Sequence, residues 1–166
     1  AQLLARYLAH EQAQLGPWQP PSKVYSRLQA MLHRRAVVVR SATSLRQSFS
    51  QDRELASELK PVLKRMATLE RRLEDAIQST LDEAGLTAQS KRCQKVEGIG
   101  PLTAAALSMA FLRGSFRNSD AFIAFIGLDV HLKESGRYSG RRKLTRQGDP
   151  EIRRLLHSIA MSAART

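Results

Sequence analysis

The chain has 166 residues with 27 Lys or Arg against 15 Asp or Glu, a formal net charge of +12, and so basic a balance favours polyanionic partners, nucleic acid ahead of anionic membrane. A single cysteine, Cys93, excludes an intramolecular disulfide, and four scattered histidines without cysteine partners offer no zinc spacing. No apolar run approaches the roughly 20 residues of a membrane span and the amino end carries no signal-peptide pattern, so a soluble protein of a reducing, cytoplasmic compartment is expected.

Residues 2–10 read as the end of a helix. From Leu15 to Pro21 three prolines, a glycine and the only tryptophan break it, making an elbow in which Trp18 is expected to anchor against a neighbouring helix. Ser22 is a suitable N-cap for a long helix. Leu28, Met31, Arg35, Val38, Ala42, Leu45 and Phe49 recur at spacings of three and four, and so do Leu55, Leu59, Val62, Met66, Leu69, Leu73 and Ala76. Two such seams predict a pair of long helices. Pro61 suits a first turn, so the second helix is expected to start near Lys60, with the bend of an antiparallel hairpin around residues 50–60. Few large aromatics make this a thin core, and self-association through the arm is expected to cover its surplus apolar surface.

Gly85 ends the second helix, and Thr87 to Lys95 forms a short polar one. In the turn from Gly98 to Pro101 the glycines permit positive φ, and Pro101 suits the first position of the next helix. The order apolar-x-Gly-apolar-Gly-Pro-x-Thr-Ala resembles the helix-hairpin-helix module, whose turn amides, here at Gly98 and Gly100, hold phosphate. Leu102 stands where strong DNA binders of that type often carry Lys or Arg. A tight turn between packed helices remains an equal reading.

Asn118 or Ser119 caps a helix that stops at Gly127, and residues 128–133 alternate enough for an extended segment. Lys133 to Arg146 then holds six Lys or Arg and one acidic residue, with two Ser-Gly pairs on flexible backbone, a composition suited to phosphates. Asp149 and Pro150 open a last helix that buries Ile152, Leu155, Leu156, Ile159 and Ala163. The predicted fold is all-α: a long antiparallel, coiled-coil-like hairpin followed by a small helical domain with a helix-hairpin-helix-like turn and a basic loop. Boundaries are expected at 1–21 for the helix end and linker, 22–86 for the arm and 87–166 for the carboxyl-terminal domain.

Asp120, Asp129, Glu134 and Asp149 are dispersed through loops and caps, so no metal cluster is argued. His131 and Ser135 are four apart in an extended segment and make no triad with an Asp. What remains is serine among arginines. A hydroxyl can attack a phosphodiester where cations stabilise the charge gathering on the phosphoryl oxygens and the developing alkoxide, yet on composition alone a plain phosphate-binding loop ranks first.

A resemblance changes that ranking. Gly98-Ile99-Gly100-Pro101-Leu102-Thr103-Ala104, Phe125-Ile126-Gly127-Leu128, Ser135-Gly136, Gly148-Asp149-Pro150 and Arg153-Arg154-Leu155-Leu156, in that order and spacing, are similar to the carboxyl-terminal domain of the Piv/MooV family of insertion-sequence transposases and invertases, also described as bridge-RNA-guided recombinases. The resemblance covers about 96–166. It implies that Ser135 is the nucleophile of strand cleavage and rejoining. DNA and guide RNA would lie on basic surfaces, with Lys133, Arg137, Arg141, Arg142, Lys143, Arg146 and Arg153 as phosphate contacts. The family usually has Pro at the position of Val130, and it carries an amino-terminal RuvC-like domain with four acidic metal ligands. This chain, which begins with Ala, has no counterpart of that domain and reads as a fragment; Mg is implied for the full-length family member and no cofactor for this chain. The alternative is a non-catalytic nucleic-acid module built on the Gly98 to Pro101 turn.

Overall fold

A computed structural model describes residues 2–11, 18–52, 54–131, 134–135, 138–140 and 142–164. The described residues form seven helices: α1 (Gln2–Glu11), α2 (Lys23–Ser48), α3 (Ala56–Glu83), α4 (Thr87–Cys93), α5 (Pro101–Phe111), α6 (Ser119–Ile126) and α7 (Pro150–Ala163). Four two-residue strands lie between α6 and α7: β1 (Val130–His131), β2 (Glu134–Ser135), β3 (Tyr138–Ser139) and β4 (Lys143–Leu144). The fold is all-α as expected, but the basic stretch is a correction. Antiparallel pairing of β1 with β4 and of β2 with β3 carries it, where flexible loop was expected.

α2 begins where Ser22 accepts a hydrogen bond from the Tyr25 amide at 3.1 Å. It runs antiparallel to α3, as the ion pairs show: Arg27 meets Glu83 at 3.3 Å, and Arg35 meets Glu74 at 2.7 Å and Glu70 at 2.5 Å. These last two account for the one polar member of the α2 seam. The bend lies earlier than expected. α3 starts at Ala56, so Pro61 sits inside the helix and not in its first turn. The amide that Pro61 lacks leaves only the carbonyl of exposed Ser57 unbonded, one turn back, where water reaches it.

The α3 seam is corrected too. Val62 and Leu69 are about half exposed, whereas Ile77, Thr80 and Leu81 are buried. A heptad reading puts 62, 69 and 76 on one line, but a straight helix returns to the same face after 18 residues, five turns of 3.6, and so aligns Leu59 with Ile77. Toward the bend the hairpin is thin. Its buried residues, Leu28, Leu32, Ala36, Ile77 and Leu81 among them, cluster at the other end.

That end is closed by α5, in which every residue from Thr103 to Ala110 is buried. Four alanines there let α2, α3, α4 and α7 approach the helix closely. α7 contributes Ile152 and Leu155, while Ala163, expected on the buried face, is exposed. α6 is held on α5 by aromatic contacts missing from the sequence reading. Phe111 stacks on Phe122 with ring centroids 4.4 Å apart, and Phe116 meets both of them and Phe125. Of the expected elbow, residues 12–17 lie outside the described residues, and Trp18 is 76% exposed, so it is not packed against any helix among the described residues. No helix among the described residues is long and apolar enough to cross a membrane.

Ile77→Ala is expected to lower stability by about 2–5 kcal/mol because it empties a site with no solvent access. Leu69→Ala should cost less than about 1 kcal/mol in the monomer. Urea denaturation of the two variants measures the difference.

Candidate nucleic-acid interface

The basic arm is closed at its base by a clasp of backbone. Asn118 caps α6 by accepting from the Ala121 amide at 2.9 Å, and the helix ends at Gly127, whose φ of +73° is left-handed. From there the chain enters β1 and returns through β4, with Val130 opposite Leu144 and His131 opposite Lys143. Below this ladder the Thr145 amide donates to the Asp129 carbonyl at 3.0 Å and the Arg146 amide to the Gly127 carbonyl at 3.2 Å. The Thr145 hydroxyl also donates to the Asp129 carboxylate. Arg146 takes a φ of +57°, turning the strand toward α7.

Gly127 and Gly148 then meet backbone to backbone. A Cβ on Gly127 would stand 2.7 Å from the amide nitrogens of Gln147 and Gly148, and one on Gly148 would overlap the Phe125 carbonyl oxygen and the Ile126 backbone. Arg153 fastens the same junction. Its guanidinium donates to the Ile126 carbonyl at 3.2 Å and the Gly148 carbonyl at 2.5 Å. The sequence reading assigned Arg153 to phosphate; here one of its nitrogens is committed to the fold.

Within the arm, Glu134 pairs with Ser139 and Ser135 with Tyr138. Ser135 therefore ends β2, at the pair next to the connection through 136 and 137. Arg142, Lys143 and Arg146 are exposed. Lys133, Arg137 and Arg141 lie outside the described residues.

The other expected contact region is the Gly98 to Pro101 turn. Gly98 has the anticipated positive φ, +82°, and a Cβ there would stand 3.0 Å from a methyl of Ile159 in α7. Gly100 is the N-cap of α5 and Pro101 its first residue. Beside this start lies a cleft of about 300 Å³ lined by Glu74, Asp75, Gln78, Pro101 and Leu102. Its two carboxylates oppose a phosphate approaching from that side.

Asp149 is the polar centre that sequence reasoning reduced to a helix cap. It does cap α7, accepting from the Glu151 amide at 2.8 Å, but it also accepts from Gln29 at 3.0 Å and His33 at 3.0 Å. Burial of this carboxylate alone would raise its pKa. The hydrogen bonds from Gln29, His33 and the Glu151 amide, with the charge of the His33 imidazole, outweigh burial and hold it below the ordinary value. Burial also pushes the nearby Tyr25 hydroxyl up, with the Asp149 charge adding to it and Arg113 opposing. Only the i, i+4 spacings of Tyr25, Gln29 and His33 on α2 could have signalled this cluster. Its partner is 116 or more residues away. Among the described residues no three His, Cys, Asp or Glu side chains are grouped to hold a metal ion.

The described cations of the arm, Arg142, Lys143 and Arg146, are exposed, on a strand pair clamped into a helical body. Residues 90–166, from within α4 to three residues past the end of α7, match the model of the Transposase IS116/IS110/IS902 family. The match supports an insertion-sequence transposase, and with it DNA transposition or recombination as the process this segment serves. No curated protein matches the chain.

Gly148→Ala is expected to cost about 3 kcal/mol or more, since backbone on both sides must move; thermal or urea unfolding reads this directly. The depressed Asp149 pKa adds stability that is present above pH 3.8, the ordinary value, and lost as pH falls through the lower folded value. Asp149→Asn keeps a good cap and removes the titration, so its stability should vary less than that of the parent chain over the same acid range.

Proposed function

We propose that this chain is the carboxyl-terminal portion of an insertion-sequence transposase, in which the basic arm grips DNA and Ser135 supplies the nucleophile for strand cleavage and rejoining. The observation that carries this reading is the position of Ser135 in the paired, cation-rich arm within the segment that matches the transposase family. In the step itself the Ser135 oxygen bonds to phosphorus and the bond from phosphorus to the leaving deoxyribose oxygen breaks. The serine proton ends, net, on that oxygen. Arg142, Lys143 and Arg146, with Lys133, Arg137 and Arg141, offset the charge on the phosphoryl oxygens. The phosphoserine ester conserves the bond for rejoining by the reverse step.

Among the described residues no three His, Cys, Asp or Glu side chains group to hold Mg. By resemblance, the metal belongs to an acidic domain of the full-length family member, the reaction takes place in the cytoplasm, and a guide RNA shares the basic surfaces. An apolar groove of about 430 Å³ between α2 and α3, lined by Val37, Val38, Leu69 and Leu73, supports self-association through the helical arm. The second reading is a non-catalytic helix-hairpin-helix-like module. The positive φ of Gly98 and the α5 start at Pro101 favour it, while Glu74 and Asp75 beside that start weigh against it.

Ser135→Ala in a recombination-competent transposase containing this chain should abolish joining and keep DNA binding. Unchanged recombination would remove the serine from the chemistry. In a salt series on duplex DNA, changing Arg142 and Lys143 to Ala should weaken binding and flatten the salt slope by about one unit per lost contact.

A further inference from the structure

A cleft of about 430 Å³ opens between α2, the end of α6 and the start of α7, with Tyr25, Gln29, Arg113, Phe125, Gln147 and Asp149 on its walls. It adjoins the clasp of the basic arm, because Gly148 lies in its lining. Three features of these walls keep binding capacity that neither the fold nor the chemistry assigned to Ser135 uses up.

Arg113 is the first. It is half-buried; its amide donates to the Ala110 carbonyl at 3.1 Å, but its guanidinium makes no hydrogen bond or ion pair with the described residues. An arginine removed from water without a partner is costly, so such a group at a cleft wall is suited to an incoming anion. The second is a donor and acceptor pair. Gln29 turns its amide nitrogen to Asp149 at 3.0 Å, which the carboxylate requires, and this leaves its carbonyl oxygen unused among the described residues. The Tyr25 hydroxyl is 3.5 Å from the same Gln29 nitrogen and has its own proton to give; the upward shift of its pKa keeps that proton in place. The third is the Phe125 side chain, an aromatic wall already held from behind by Phe116, ring centroids 5.2 Å apart.

We infer that this cleft is a binding site for one unstacked nucleotide, its base against Phe125 with its edge on Tyr25 and Gln29, and its phosphate at Arg113. The volume suits a ligand of that size. A bare phosphate fits less well, because the Asp149 carboxylate stands in the same lining. A nucleotide uses every group: cation for phosphate, aromatic face for the base plane, donor and acceptor for the base edge. Placed beside the arm, the site would hold a base displaced from a helix whose backbone the arm grips.

The inference rests on the reading of the chain as a nucleic-acid binder, and the test separates the two. Two short DNA duplexes, one fully paired and one with a single bulged 2-aminopurine, are titrated with the intact chain at low salt. The bulged duplex should bind roughly tenfold tighter, the scale of one stacked base, with a change in 2-aminopurine fluorescence. Arg113→Gln, which removes the phosphate contact, and Tyr25→Phe, which removes the hydroxyl donor to the base edge, should each remove that preference. Paired-duplex affinity and its salt slope should stay the same. Equal affinity for the two duplexes, or a preference that survives both substitutions, overturns the nucleotide site and leaves DNA binding by the arm standing. Failure of either duplex to bind overturns both. Repeating the pair in RNA decides which strand chemistry supplies the base: the bulge that shows the larger preference is the ligand.

Discussion

The contact between the backbones of Gly127 and Gly148 is the constraint on which the functional end of the molecule depends. Residues 21 apart in sequence touch without side chains between them, and the carbonyls beside that contact are tied by Arg153. α6 and α7 are thereby fixed as two posts from which the arm projects. The positive charge of residues 133–146 would be a mobile cloud without this closure. With it, the strands leave the body in a set direction, and Asp129 and Thr145 repeat the closure one step outward.

Much of this was legible because capping and turn chemistry are local. Asn118, Gly127, Asp149 and Pro150 marked the ends of α6 and α7 correctly, as Gly100 and Pro101 did for α5. Local signals failed where packing between distant segments decides. The α3 seam was placed on Val62 and Leu69 because a heptad rule was applied to a helix whose burial follows the straight 3.6 period. Pro61 was given the power to start a helix that already ran through it. Trp18 was credited with an anchor because nothing basic flanks it closely, a local signal that says nothing of whether a helix lies within its reach. β1 lies in the segment whose alternation read as extended, but β2, β3 and β4 were hidden because runs of two residues leave no periodicity to read, and a stretch rich in Arg, Ser and Gly looks the same whether paired or free.

The candidate site divides similarly. The exposed cations could be read from composition, since nothing but charge density was needed. Arg153 could not, because whether an arginine meets solvent or two carbonyls depends on where α6 ends relative to α7. Asp149 shows the same limit at longer range: its helix-capping role follows from the adjoining proline, whereas its bonds to Gln29 and His33 join the first long helix to the last. Charge is also sorted in space in a manner sequence order conceals. Glu74 and Asp75, from the arm helix α3, lie by the α5 start, so the amino end of that helix and the strand arm present opposite electrostatic characters.

An arm shut at its base has a freedom that an open loop lacks. Of the segment between Asp129 and Thr145, Val130, Arg142, Lys143 and Leu144 are exposed, and the posts that carry it are joined below it. Residues can therefore be added or removed beyond the clasp without disturbing the packing of α5, α6 and α7, since the ends stay at the same separation whatever their connection. Reach, charge and the location of a reactive group along the arm can thus diverge among proteins that share this body, each change costing little in stability. The body sets the direction; the length is open to selection.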